Sequence, residues 1–153
     1  MKTIELGHAV LYVRDLEASR RFYGEILGLP EIAFPDDGGA FPGAAAFSGG
    51  RTHHELLLIE VGADATPIPP GRRVGMYHFG LKVGDSDDEL RAALKAVQDA
   101  GATVVGTSDH TVTHSLYILD PDGNEIELYV DVPGVDWQSH PELVGAAIRP
   151  LKL

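Results

Sequence analysis

The stretch Gly7-His8-Ala9-Val10-Leu11-Tyr12-Val13-Arg14-Asp15 returns as Tyr77-His78-Phe79-Gly80-Leu81-Lys82-Val83-Gly84-Asp85, an offset of about 70 residues that points to an internal duplication. His, Leu, Val and Asp coincide in both copies. Each copy alternates its apolar residues as a strand does and leads into a helical pattern. In the first half Asp15 reads as the N-cap, Leu16, Ser19, Tyr23, Ile26 and Leu27 recur near the helical period, and Gly28 and Pro30 stop the helix. In the second, Ser86-Asp87-Asp88-Glu89 reads as a capping box, Leu90, Ala93, Leu94 and Val97 form the stripe, and Gly101 takes the position after the helix. Strand-like runs follow at 31–34, 44–47 and 53–61, and again at 102–107, 114–119 and 125–130. The fold class expected is therefore α+β: two βαβββ modules whose curved mixed sheets surround a cleft.

The connectors agree with this division. Asp36-Asp37-Gly38-Gly39 and Ser48-Gly49-Gly50 are turn chemistry, and Asp120-Pro121-Asp122-Gly123-Asn124 is a hairpin signal. Thr66-Pro67-Ile68-Pro69-Pro70-Gly71 is a stiff link between halves. Modules over 1–65 and 74–131 are expected, joined by a linker over 66–73. The tail, 132–153, matches neither repeat; its Val135, Trp137, Leu143, Val144, Ile148 and Leu151 predict that it docks rather than hangs free.

The chain has 153 residues, 44% hydrophobic and 23% charged, with a formal charge of −11, the balance of a folded chain rather than a disordered one. That acidity, with no cluster of Lys or Arg, argues against a nucleic-acid partner and against an anionic membrane surface. No signal peptide and no bilayer-length apolar run is read in the sequence, so a cytoplasmic address is expected. With no cysteine among the 153 residues, thiol chemistry and thiolate metal sites are excluded. Any metal must be held by carboxylate and by the seven histidines.

Alternation puts Ala9, Leu11 and Val13 on one face of the first strand and His8, Val10 and Tyr12 on the other. The second copy sets Phe79, Leu81 and Val83 against His78, Gly80 and Lys82, and the last strand sets Ile126, Leu128 and Val130 against Glu125, Glu127 and Tyr129. His8 and His78 thus hold equivalent positions away from the helices, and Glu127 can join them. Two His and one carboxylate are the composition of a facial triad that leaves metal positions open.

Gly7 to Tyr23 with Leu27-Gly28-Leu29, and Asp120 to Tyr129, resemble the opening and the closing hairpin of a vicinal oxygen chelate module. That superfamily includes glyoxalase I, extradiol dioxygenases, fosfomycin-resistance enzymes and bleomycin-binding proteins. The segments His53-His54-Glu55-Leu56-Leu57-Leu58-Ile59 and Asp109-His110-Thr111-Val112-Thr113-His114-Ser115-Leu116-Tyr117 are similar to the catechol 2,3-dioxygenase branch. The resemblance implies Fe(II) on His8, His78 and Glu127, with His54 as acid/base, Tyr117 as a hydroxyl beside the metal, and His110 or His114 against the substrate. The substrates implied are a catechol-type aromatic and dioxygen. His53, alternating away from His54, is expected to be exposed rather than functional. The alternatives are a glyoxalase I-like isomerase or fosfomycin-type thiol transferase using Mn(II), Ni(II) or Zn(II), and a metal-free drug-binding module. Glyoxalase I takes a fourth ligand from the last strand of its first module; here that place falls in Leu56-Leu57-Leu58, and Glu60 could fill it only if the strand register slipped. The acidic surface and apolar tail are read as those of a homodimer.

Overall fold

The computed structural model describes residues 1–34 and 42–153; the turn expected at Asp36 to Gly39 lies outside the described residues. The chain divides into two compact units, Met1–Pro67 and Ile68–Leu153.

In the first unit β1 (Ala9–Val13) leads into the helix α1 (Leu16–Arg20), which continues as a wider π-helical turn over Arg21–Ile26. Strands β2 (Glu31–Ile32), β3 (Ala44–Phe47) and β4 (Leu56–Glu60) follow. They form one sheet in the order β1-β4-β3-β2, with β1 and β4 parallel and the remaining pairs antiparallel. The second unit repeats this as β5 (His78–Gly84), α2 (Asp87–Asp99), β6 (Thr103–Asp109), β7 (Thr113–Leu119) and β8 (Glu125–Asp131). Its order is β5-β8-β7-β6-β9, where β9 is the short strand Arg149–Pro150, the first and last strands of the repeat again being parallel neighbours. The α+β duplication read from the sequence is thus the architecture. No helix among the described residues is long and apolar enough to cross a membrane.

Local chemistry sets the ends of the helices. The Asp15 carboxylate accepts from the Ala18 amide at 2.9 Å. Ser86 Oγ accepts from the Glu89 amide at 3.4 Å, and Glu89 reaches back to accept from the Asp85 amide at 2.8 Å and the Ser86 hydroxyl at 2.7 Å, which supplies acceptors for donors that the first helical turn leaves without partners. Gly101 follows α2 at φ 72°, a left-handed backbone that closes the helix end at little steric cost.

Burial follows the predicted faces. Leu11 and Val13 are buried while Val10 and Tyr12 are exposed; Ile126, Leu128 and Val130 are buried together with Leu90 and Val97 of α2. The first helix departs from expectation. It ends in a wider turn, in which the Leu27 amide donates to Phe22 O at 3.0 Å, and Phe22, three residues after Ser19 and on the same helical face as Tyr23, joins them in the core. The strand expected at 53–61 is also shorter. Glu55 accepts from the amides of Gly49 (2.8 Å), Arg51 (3.1 Å) and Thr52 (3.0 Å), which keeps the chain turning until Leu56 and leaves His53 and His54 ahead of the ladder.

The segment after β8 adds a 3₁₀ turn, Pro141–Gly145, and the short strand β9 (Arg149–Pro150), which pairs with β6. Its docking is narrower than the apolar content predicts: Val135, Leu143 and Leu151 are half-buried, whereas Trp137, Val144 and Ile148 remain exposed, and a bond from Thr107 Oγ1 to Leu151 O at 2.7 Å adds to the attachment through the sheet edge.

Replacing Ser86 by Ala removes the α2 cap and is expected to lower stability by about 1 kcal/mol. The urea midpoint then falls with an unchanged slope; an unmoved midpoint contradicts the role of the cap.

Candidate functional site

In the second unit the parallel ladder sets His78 opposite Glu125 and Gly80 opposite Glu127. The His78 imidazole therefore has a carboxylate at each nitrogen: Nδ1 lies 3.3 Å from Glu125 Oε1 and Nε2 lies 3.4 Å from Glu127 Oε2. His78 Nδ1 and Glu125 Oε1 are buried without a hydrogen-bond partner. Gly80 keeps the floor open, since a Cβ there would come within 3.2 Å of the Tyr129 ring and 3.6 Å of Glu127 Oε2.

The buried Asp120 fixes the β7–β8 hairpin by accepting from the Asp122 amide (2.9 Å) and from the Asn124 amide (2.7 Å) and side-chain nitrogen (2.9 Å). That register pairs Tyr117 with Glu127 and Ser115 with Tyr129, so both hydroxyls share the face of the carboxylate. Glu127 Oε1 accepts from Ser115 Oγ at 2.6 Å and from Tyr117 OH at 3.3 Å, leaving Oε2 toward His78. His110 Nε2 is 2.7 Å from Tyr117 OH. Burial first, and then the negative charge of Glu127, push the Tyr117 phenol up to about 12, so at neutral pH it is a protonated donor.

His110 sits in a held loop. Thr111 has φ 72°, unusual for a non-glycine residue. The Asp109 carboxylate accepts from its amide at 2.7 Å, while Arg149 of β9 reaches Asp109 at 3.0 Å and Thr111 Oγ1 at 3.4 Å. The C-terminal segment thus braces the loop that carries His110. His114 is one residue out of phase with Ser115 and lies on the other face of β7. Its Nδ1 is 2.6 Å from Asp87 at the start of α2, and Nε2 is 3.8 Å from Asp109. Of the two histidines weighed for substrate, His110 is brought to Tyr117 and His114 is turned to the helix side.

In the first unit His8, His53 and His54 gather at the mouth of the β1–β4 pair. The His8 and His54 ring centroids are 4.4 Å apart, and His53 Nδ1 is 2.6 Å from His54 Nδ1. His53 is exposed, as expected, yet belongs to this group. The alternation that set it apart from His54 does not operate in a turn. Burial, followed by the positive charges of His8 and His53, pushes the His54 imidazole below its ordinary value, and His54 Nε2 is buried without a hydrogen-bond partner.

The two ladders can be compared position by position. Val10 pairs with Leu57 as Gly80 pairs with Glu127, so the first-unit counterpart of Glu127 is Leu57. Glu60 does not slip into that place; it pairs with Val13, and its carboxylate accepts from the Leu16 amide at 2.8 Å. Ser115, Arg149 and the grouping of His53 are the features that sequence reasoning missed, and Gly80 and Glu125 were placed on the right face but given no role. Ser115 was within reach, because it stands two residues from Tyr117 on one strand face.

The chain belongs to the glyoxalase/bleomycin resistance protein/dioxygenase superfamily, whose family model matches residues 5–128. It is 35% identical over 133 residues to a catechol-2,3-dioxygenase of Bacillus subtilis, covering 87% of this chain and 44% of that protein. It is 31% identical over 131 residues to a probable lactoylglutathione lyase of Synechocystis, covering 80% of this chain and 92% of the relative. A solved glyoxalase/dioxygenase from Nostoc punctiforme superposes with a TM-score of 0.68 at 25% identity, over 84% of this chain and 91% of the other. The chain spans less than half of the Bacillus subtilis enzyme, and 64% of a biphenyl-2,3-diol 1,2-dioxygenase of Rhodococcus globerulus. Its relatives thus include enzymes of two reaction classes.

Tyr117→Phe should remove from the ultraviolet phenolate titration a component with its midpoint near pH 12, as the raised phenol requires. Loss of a component near the ordinary tyrosine value of about 10 contradicts the buried bond to Glu127. The linkage has one sign: a phenol raised in the folded state stabilises it fully below the unfolded value, and that contribution is lost as pH rises through about 10 to 12.

Proposed function

We propose that this chain is an Fe(II)-dependent extradiol dioxygenase domain acting on a catechol-type aromatic, with His8, His78 and Glu127 as the metal ligands. The observation that carries the reading is the pairing of His78 with Glu127 while Leu57 stands at the equivalent place in the first unit. The donor set fits a borderline divalent ion. His78 Nε2 and Glu127 Oε2 lie 3.4 Å apart, and the other Glu127 oxygen is held by Ser115 and Tyr117, the kind of outer support that orients a ligating carboxylate. An ion held by His8, His78 and Glu127 alone would keep positions open for substrate.

Iron, when bound, supplies electron transfer between the catecholate and dioxygen. The chain's residues supply positioning and protons. His54 is largely neutral at pH 7, its value being lowered by burial and by its two histidine neighbours, so Nε2 can accept a catechol proton and later return one to the product. Tyr117 stays protonated, and its one O–H, directed at Glu127 without substrate, can turn to a substrate oxygen when substrate binds, with His110 Nε2 2.7 Å from the hydroxyl. The ring carbon–carbon bond beside the hydroxyls breaks and both atoms of dioxygen enter the product, so no outside reductant is needed. A homodimer with a cytoplasmic address completes the reading.

A second reading, an isomerase of the glyoxalase I kind using Ni(II), Zn(II) or Mn(II), is favoured by length, since the chain covers 92% of the Synechocystis lyase. It needs a fourth ligand where Leu57 stands. The test is oxygen uptake with catechol after anaerobic Fe(II) loading. One dioxygen consumed per catechol is expected; no uptake, together with isomerisation of a thiol adduct of a 2-oxoaldehyde, overturns the dioxygenase. A chain that takes up no metal is a binding module instead. His54→Gln is expected to keep its iron and lose about 100-fold in turnover, whereas His78→Ala loses the iron by elemental analysis. Unchanged turnover in the first variant removes His54 from the mechanism.

A further inference from the structure

The three histidines of the first unit form a donor set that differs from the iron ligands proposed above. His8, His53 and His54 each offer a ring nitrogen, and these nitrogens all lie within 4.8 Å of one another. A tetrahedral ion with metal–nitrogen bonds of about 2.0–2.1 Å needs its donors roughly 3.3 Å apart, so ring rotations that move the nitrogens by on the order of an ångström would close the set. His53 Nδ1 and His54 Nδ1, at 2.6 Å, must share one proton, and a cation can take the place of that proton.

The scaffold beneath them is built. The Ala9 amide donates to Glu55 O at 2.9 Å, which ties the start of β1 to the turn. Arg51 donates to Gly7 O at 2.9 Å and pairs with Glu5 at 3.4 Å and Glu55 at 3.8 Å, so its own charge is balanced. The Glu55 carboxylate is taken by three backbone amides, which leaves the donor set purely imidazole. Three imidazole donors suit zinc, copper or nickel and discriminate against calcium and magnesium, which seek oxygen.

We propose that His8, His53 and His54 form a three-histidine site for a divalent ion of the zinc class, contained wholly in the first unit. The site needs no residue of the second unit and stands whether or not the reaction is the one proposed. Because His8 belongs to both sets, a zinc-class ion here competes with iron for it.

Zinc titration of the full-length His78→Gln/Glu127→Gln variant, followed by calorimetry, tests the site with the iron set removed. One equivalent is expected to bind, and adding His53→Gln is expected to weaken it at least about tenfold, the lower end of what even an outer partner contributes. His53 is exposed, and circular dichroism of each variant monitors the fold. Magnesium at the same concentration should give no heat. Absence of zinc binding to the folded double variant, or binding unaffected by His53→Gln, overturns the site; neither result bears on oxygen uptake by the iron-loaded wild type.

Discussion

The parallel pairing of β5 with β8 is the constraint on which the second unit's chemistry depends. In that ladder His78 stands opposite Glu125 and Gly80 opposite Glu127, so one imidazole meets two carboxylates while Ile126, Leu128 and Val130 are buried on the reverse face. A one-residue slip would exchange the faces and drive the carboxylates into the apolar core. The Asp120 hairpin and the helix α2 therefore hold the face of the candidate site as well as the fold.

Duplication supplied the same frame twice, and the two copies have used it differently. The second places carboxylate, phenol and hydroxyl beside its histidine, and the hydroxyls of Ser115 and Tyr117 leave one oxygen of Glu127 directed at the ring. The first has leucine at the corresponding register and gathers its polar groups in the turn before β4, where Glu55 ties down the backbone. Divergence between halves is what makes an asymmetric centre available to a symmetric fold. The bracing of the His110 loop by Arg149 extends this asymmetry to a segment outside the repeat.

The architecture was legible because it rests on period and punctuation. The strand alternation, the Asp15 and Ser86 caps and the Asp120 hairpin are local signals, and each has its physical counterpart in the structure. His78 and Glu127 could be placed on one face for the same reason, whereas Tyr117 was implied by the family resemblance alone. What was not legible depended on where regular structure stops. His53 and His54 come together because Glu55 closes a turn, which overrides the alternation assumed for them. The choice between His110 and His114 required the hairpin register, which shows that the latter faces Asp87. Arg149 gave no signal at all, since its partner Asp109 lies 40 residues away in sequence.

The claim that most needs a direct measurement is that three protein groups, and no fourth, hold the catalytic ion. Electron paramagnetic resonance of the Fe(II)-loaded protein with nitric oxide, a stand-in for dioxygen, counts the open positions when recorded with and without saturating catechol. Three ligands leave room for both catechol oxygens and nitric oxide, so the account predicts that the nitrosyl signal persists and changes shape when catechol is present. A signal abolished by catechol would mean that only two positions are open, and the three-ligand account would fail.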